Sequence, residues 1–390
     1  MKLLHTADWH LGKRLYGVDR RDEAVAALAE LAALAADERV DAVLMAGDLL
    51  DRRVMDAEPL GDTLRALEAL ADTAPVLVVV GNHDDPGLWT ALAPYLERRR
   101  IHVAGRARPP AEAVRTVETA SGPLHAALLP WPDPGRFVAD LGEAVAETKR
   151  SYADQVARVL ALYAEEVTRR QAAEGGAGVL VAHLMVDGAV GGGGERELTM
   201  GITYAVSPHA VPTGLDYVAL GHVHKPQAVP GVAVPARYSG SPMAIDFSED
   251  NHGKTACLVH IERARTTVRE VALEASRPLV RLRGPLDALP GLAAEHPDAW
   301  FLCEVLLDEP VLDLSRQVRD RVPGVLRVEP VHAGVEAGSA APTAAPGDAP
   351  AVSVAEQYAD WYAVRGRPLG DALRRALAEA MAAAAGSDTA

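Results

Sequence analysis

Val76-Leu77-Val78-Val79-Val80-Gly81-Asn82-His83-Asp84 is the stretch that decides how this chain folds. Five consecutive apolar residues, mostly β-branched, have the length and character of a strand covered on both faces. The run stops at a glycine and is followed at once by a carboxamide, an imidazole and a carboxylate. In open α/β sheets, sites are built in the space beyond the carboxyl ends of the strands.

The same grammar recurs four times. Met1-Lys2-Leu3-Leu4-His5-Thr6-Ala7 runs into Asp8-Trp9-His10, and Ala42-Val43-Leu44-Met45-Ala46 runs into Gly47-Asp48. Further on, Val179-Leu180-Val181-Ala182 ends on His183, and Tyr217-Val218-Ala219-Leu220 ends on Gly221-His222-Val223-His224. Helical spacing over Arg21–Asp37, Glu58–Asp72 and Glu143–Glu174 separates these runs, which predicts an α/β fold. An Asp-x-His or a Gly-Asp alone is common in unrelated chains. Five strand ends in this order, each offering a metal-binding side chain, can build a two-metal centre.

The residue types narrow the chemistry. One carboxylate shared by two cations can hold them ~3.5–4 Å apart, the spacing that suits in-line displacement at phosphorus. Asp48 is the natural bridge. Carboxylate, carboxamide and imidazole ligands without thiolate favour a Mn²⁺-like or Fe²⁺-like ion, although imidazole also accepts zinc.

Composition excludes several classes. Of 390 residues, 24% are charged and 49% apolar, as expected of a globular chain. No apolar stretch approaches the ~20 residues of a membrane span. Asp8 interrupts the first apolar run too early for a secretory signal. The two cysteines, Cys257 and Cys303, lie outside every motif and read as reduced thiols, which suits the cytoplasm. A net charge of −15 argues against a free-standing nucleic-acid binder. Lys13, Arg14, Arg52, Arg53 and Lys225 nevertheless follow the ligand positions closely, and together they would make a locally positive mouth for phosphate.

In this order the motifs resemble those of the calcineurin-like metallophosphoesterases: D-x-H, G-D, G-N-H-D/E, H and G-H-x-H. More narrowly, the chain is similar to the SbcD-type nuclease subunits of bacterial DNA-repair complexes. That likeness rests on His5–Gly12 (HTADWHLG), Tyr217–Gln227 (YVALGHVHKPQ), Tyr238–Pro242 (YSGSP) and Glu195-Arg196-Glu197-Leu198. It implies a two-sheet sandwich flanked by helices, with a small α+β capping domain and a carboxyl-terminal helical module. It implies that Asp8, His10, Asp48 and His224 hold one metal, and that Asp48, Asn82, His183 and His222 hold the second, with Mn²⁺ the favoured ion for both. His83 would protonate the leaving oxygen, with Asp84 fixing its orientation. The implied activity is 3'–5' exonuclease action on duplex ends and endonuclease action on single strands and hairpins. The implied partners are DNA and an SbcC-type SMC-like ATPase, two copies of each chain, with a homodimer of the nuclease. Two rivals are a small-molecule metallophosphoesterase and a non-catalytic scaffold of the ATPase; clustered carboxylates carry an electrostatic cost that a scaffold has no reason to bear.

Four regions follow from this reading: 1–275 for the nuclease domain, 276–333 for the cap, 334–352 for a Gly/Ala/Pro linker, and 353–386 for helices. In the cap, strands are expected near 279–282, 299–307 and 325–329, with helices at 286–295 and 312–321. In the tail, a capping box at Ser353–Glu356 opens a helix carrying Tyr358, Trp361 and Tyr362 on one face. Leu373, Leu377 and Met381 follow at four-residue steps, and the set is expected to grip the partner's coiled coil. His5, His102, His125, His209, His252 and His260 read as surface or core-edge residues. Gly253-Lys254-Thr255 resembles the end of a P-loop, but Ser248 stands where that loop needs glycine, so no ATP site is expected.

Overall fold

Each of the five apolar runs forms a strand. Three of them, β1 (Lys2–Thr6), β4 (Ala42–Met45) and β5 (Val76–Val79), lie parallel and adjacent in one sheet. The computed structural model describes residues 1–54, 56–133, 151–191, 205–249, 253–262, 265–309 and 311–332. Gly192–Gly194, the Glu195–Leu198 motif, His252, the helical stretch before 151, the linker and the carboxyl-terminal helices lie outside them.

The sheet is completed by β6 (Ile101–Ala104), β13 (Thr255–Glu262) and β14 (Arg265–Ala272), in the order β14-β13-β1-β4-β5-β6. A short hairpin, β2 (Arg14–Leu15) with β3 (Val18–Asp19), follows the first ligand loop. The second sheet holds the remaining two runs as β9 (Ala177–His183) and β10 (Tyr217–Gly221), again parallel. Around them lie β7 (Val114–Thr119), β8 (Gly122–Leu129), β11 (Gln227–Ala228) and β12 (Ala236–Tyr238), in the order β11-β12-β10-β9-β8-β7.

The central strands β4, β5 and β10 are apolar and buried at every position because both faces of each sheet are covered there. Leu3, Leu44, Leu77 and Val79 point inward and meet Leu128, Val179, Val181 and Ala219 of the other sheet. Their neighbours Leu4, Val43, Met45 and Val78 point outward, onto Leu28 and Leu31 of α1 (Arg21–Glu38) and Leu67 and Leu70 of α2 (Ala57–Thr73). A third helix, α3 (Pro86–Leu96), begins two residues after Asp84. Asp85 caps it by accepting from Gly87 N at 2.7 Å, and Pro86 opens its first turn. A single turn, α4 (Pro110–Ala113), precedes β7, and α5 (Tyr152–Glu174) lays Val156, Leu160, Tyr163 and Val167 over the second sheet. Each such buried side chain contributes roughly 1.5–3 kcal/mol, so the α/β/β/α layering is held mainly by apolar burial.

The small unit runs β15 (Leu279–Pro285), α6 (Leu289–Ala294), β16 (Trp300–Leu307), α7 (Leu314–Arg321) and β17 (Val325–His332). Its three strands are parallel, in sequence order. One face packs Val280, Leu282, Phe301 and Val305 against Leu289 and Val318 of the two helices. The other face, Leu279, Leu302 and Leu326, meets Leu15, Ala244 and Phe247 of the larger unit. Trp300 Nε1 donates to Glu23 Oε1 at 2.7 Å across that seam.

Two histidines depart from expectation. His5 and His125 are fully buried, not at a core edge. His5 Nδ1 lies 2.9 Å from Tyr217 Oη between the sheets, and His125 is satisfied by Thr116 Oγ1 and the Gly175 carbonyl, each at 2.9 Å. Alternation decides this: both occupy strand positions whose side chains enter covered faces, which local composition does not reveal.

Candidate metal centre

The five strand ends converge on Asp48, and the backbone is bent to let them. Asp8, His10, Asp48 and His222 all have positive φ, at 54°, 46°, 54° and 101°. Non-glycine residues seldom adopt this conformation, and it concentrates at functional sites. Close approach explains two glycines. A Cβ at Gly81 would fall on Asp48 Oδ1 and its backbone nitrogen, and one at Gly221 would fall on the Ala46 carbonyl.

Around Asp48 the donors form two lobes. In one, Asp8, His10 and His224 bring ligand atoms within 4.8 Å of one another. His10 Nε2 stands 3.6 Å from Asp48 Oδ2 and 3.2 Å from His224 Nε2. In the other, His183 Nε2 lies 3.4 Å from Asp48 Oδ2. Asn82 Oδ1 sits 2.9 Å from that same nitrogen and 3.0 Å from His222 Nδ1. Asp8 also belongs to this side, grouped with Asp48 and His183. All seven expected ligand residues are therefore brought together.

Burial and charge pairing compete over the protonation of the cluster. Burial raises Asp8 to about 7, against the pull of His183 and His224. Burial also opposes ionisation of Asp48, but His183, His10 and His83 outweigh it and hold that carboxylate well below its ordinary range. His183 is pushed up to about 9, because Asp48 and Asp8 override the desolvation that disfavours its charge. His222 falls to about 3 through burial and the neighbouring His183.

The donor set fits divalent cations. Two imidazole Nε2 atoms only 3.2 Å apart point at one another, a geometry that a shared cation or proton must relieve. His10 Nδ1 is buried without a hydrogen-bond partner among the described residues. Oxygen and nitrogen donors without sulfur match Mn²⁺, Fe²⁺ or Zn²⁺.

His83 sits at the edge of this cluster, its ring 4.7 Å from that of His10. Its backbone N–H donates to Asp48 Oδ1 at 2.9 Å, and its Nδ1 lies 2.7 Å from the Asp51 carbonyl. The orienting role expected of Asp84 therefore passes to Asp51. Asp84 is fully buried beneath the loop after β4, where its carboxylate accepts from Leu49 N, Leu50 N and Gly81 N at 3.2, 3.0 and 2.9 Å. It braces the turn that presents Asp48.

The basic residues are partly compensated. Lys13 Nζ pairs with Asp51 at 3.2 Å, Arg53 with Asp133 at 3.6 Å, and Arg14 donates to the Gly17 carbonyl at 3.0 Å. Arg14 and Arg52 line a cavity of about 170 Å³ together with Asp19 and Asp56. Lys225 is half-buried beside His224.

Residues 1–226 match the calcineurin-like phosphoesterase family, and residues 275–351 match the type 5 capsule protein repressor C-terminal domain. The SbcD subunit of the SbcCD nuclease of Bacillus subtilis is 32% identical over 85% of this chain and 86% of its own length. The chain belongs to the SbcD family of calcineurin-like phosphoesterases. The corresponding SbcCD nuclease subunit of Rhodobacter capsulatus is likewise 32% identical, over 81% of this chain and 82% of its own. The DNA double-strand break repair protein Mre11 of Aeropyrum pernix is 29% identical over 64% and 58%.

In this SbcD-family chain, sequence reasoning missed three residues that the fold brings to the centre. Asp51 holds His83, and Trp131 lays its ring 5.1 Å from that of His222 at 30°. Glu249 meets His224 Nδ1 at 3.0 Å. Asp51 had a local signal, since it stands three residues after Asp48. Trp131 and Glu249 had none.

Proposed function

We propose that this chain is the nuclease subunit of an SbcCD-type complex, a two-metal phosphodiester hydrolase acting on DNA. Asp8, His10, Asp48 and His224 would hold one cation, and Asp48, Asn82, His183 and His222 the other, with Mn²⁺ the favoured ion. When bound, the pair supplies Lewis acidity and an activated water for in-line displacement. The chain's own groups do the rest. Asp48 anchors both lobes, and Asp84 keeps its loop in place through three backbone N–H groups. The Asp51 carbonyl fixes His83 at Nδ1, which leaves Nε2 to give a proton to the sugar oxygen as the P–O bond breaks. Trp131 packs its ring beside those of His222 and His183.

The observation that carries this reading is the convergence of ligands from both sheets on the one buried carboxylate of Asp48. The relatives' names supply the substrate class and the partner. From the motif resemblance we further propose duplex exonuclease activity of 3'–5' polarity and endonuclease activity on single strands and hairpins. The working assembly is two nuclease chains with two SbcC-type ATPases, whose surface offsets the net charge of −15 when DNA is held. Among the described residues no helix is long and apolar enough to cross a membrane, and both buried cysteines are unpaired. A cytoplasmic location accords with both.

The test is a Mn²⁺-dependent nuclease assay on hairpin and linear duplex DNA, with and without the partner ATPase, using Asp48→Asn as control. Cleavage by the native chain, lost together with bound metal in the variant, is expected. Cleavage of cyclic nucleotides but not DNA by the complete assembly would overturn the reading, as would normal metal content and rates in Asp48→Asn.

A further inference from the structure

In Gly253-Lys254-Thr255 the structure gives Lys254 a specific partner. Its Nζ lies 2.5 Å from Glu249 Oε2 and donates to Ser241 Oγ at 3.2 Å. Glu249 is a buried carboxylate, 6% exposed, and both of its oxygens are committed. Oε2 also accepts from Ile245 N at 3.2 Å, while Oε1 faces His224 Nδ1 at 3.0 Å. A carboxylate taken out of water is costly unless it is paired and hydrogen-bonded. This one is both, and its remaining partner is an imidazole of the metal cluster.

We propose that Glu249, held by Lys254, is a positioning residue for His224 that sets the tautomer and donor strength of this one ligand. An ionised acceptor at Nδ1 requires the proton there, so the lone pair lies on Nε2. That is the nitrogen that faces His10 Nε2 at 3.2 Å. A carboxylate behind a ligating imidazole fixes the ring and raises its basicity. Among the described residues, the other histidines of the cluster are braced differently. His183 Nδ1 meets the Ala46 carbonyl at 2.8 Å, and His83 Nδ1 meets that of Asp51. His10 Nδ1 stands 3.8 Å from Asp51 Oδ1, too far for a hydrogen bond. Within the described cluster, His224 is the histidine with an ionised partner at hydrogen-bond distance of its Nδ1. Glu249 is in turn carried by a segment fastened to the small unit. The Phe247 carbonyl accepts from Arg281 Nε at 3.1 Å, Ala244 N donates to Ser276 Oγ at 3.3 Å, and Phe247 packs with Leu279 and Leu302. The brace therefore stands on a segment fastened by two hydrogen bonds and apolar packing, as a positioning group needs.

The inference rests on reading the Asp8–His224 cluster as a metal site, and the experiment separates the two. Chelator-treated full-length protein is titrated with Mn²⁺ by calorimetry, alongside Glu249→Gln, Glu249→Ala and Lys254→Met. Thermal unfolding is measured in excess chelator, and ¹⁵N-histidine spectra report the His224 tautomer. In Glu249→Gln one of the two Mn²⁺ dissociation constants should rise by ~10–100-fold, with the chelated unfolding midpoint little changed. Lys254→Met should move the same constant in the same direction. Glu249→Ala should also lose the Nδ1–H signature. Unchanged Mn²⁺ affinities in Glu249→Gln overturn the proposal, and with a lowered midpoint they show that Glu249 only staples its loop. If the native chain takes up no Mn²⁺, the metal site itself fails and the proposal with it.

Discussion

Replacing Asp84 by alanine removes a carboxylate that touches no expected ligand side chain, and it should still cost the fold several kcal/mol. The side chain is completely buried and accepts three backbone N–H groups, from Leu49, Leu50 and Gly81. Leaving a buried donor without its partner costs about 1–3 kcal/mol. Three donors, partly relieved by relaxation or an entering water, give a loss of about 3–6 kcal/mol. The unit that must melt spans Met1–Gly334. With an unfolding entropy of ~2.1 cal/mol/K per residue, about 330 residues give ~0.7 kcal/mol/K, so the midpoint should fall by about 4–9 °C. An exposed pair is the comparator: Glu68 and Arg99 meet at 3.3 Å with both side chains largely in solvent. Glu68→Ala should cost less than about 1 kcal/mol, under about 2 °C. Calorimetric scans of the full chain in excess chelator measure both variants without any contribution from metal. If Asp84→Ala melts within about 2 °C of the native chain, the three hydrogen bonds do not hold the Asp48 turn and the reasoning is wrong.

His83→Ala should slow Mn²⁺-dependent DNA cleavage by ~10²–10⁴ while leaving two metals per chain by elemental analysis; loss of a metal would make His83 a ligand. His5 should make the chelated protein sensitive to acid. Burial, reinforced by Arg237 and opposed by the Leu220 carbonyl, holds its imidazole down to about 3 from an ordinary 6.5. The unfolded chain therefore takes up this proton below pH 6.5 and the folded chain does not, so its stability is complete above that pH and falls at about 1.4 kcal/mol per unit below it. At about pH 5 the loss is about 2 kcal/mol, or about 3 °C at ~0.7 kcal/mol/K, and the drop in midpoint from about pH 7 to that pH should shrink by about 3 °C in His5→Phe; an unchanged drop refutes it. In the carboxyl-terminal stretch, Trp361→Ala with Leu373→Ala should weaken association with the ATPase by ~10²-fold or more in pull-down. Cleavage of short single strands by the isolated chain should persist, and unaltered association would show that these side chains do not grip the partner.

The sequence by itself determined the strands and the donors. An apolar run of four or five residues closed by Gly, Asp, Asn or His is a local pattern, and β1, β4, β5, β9 and β10 form where the runs stand. The spacing in the small unit was legible for the same reason, its strands and helices falling within a few residues of expectation. The order of motifs made the family readable, because carboxylate, carboxamide and imidazole groups at successive strand ends are the donor types that a metal pair demands. What tertiary structure alone decided is how each ligand is held. Asp84 stands next to His83 in sequence, yet its carboxylate turns beneath the neighbouring strand end, and a carbonyl thirty-two residues upstream orients the imidazole instead. Glu249 reaches His224 across twenty-five residues, and Trp131 reaches His222 from the segment that follows β8, another strand of the same sheet. These contacts depend on where loops from separate strands meet in space. A residue's type states what bonds it can make; only the packed fold selects the partner.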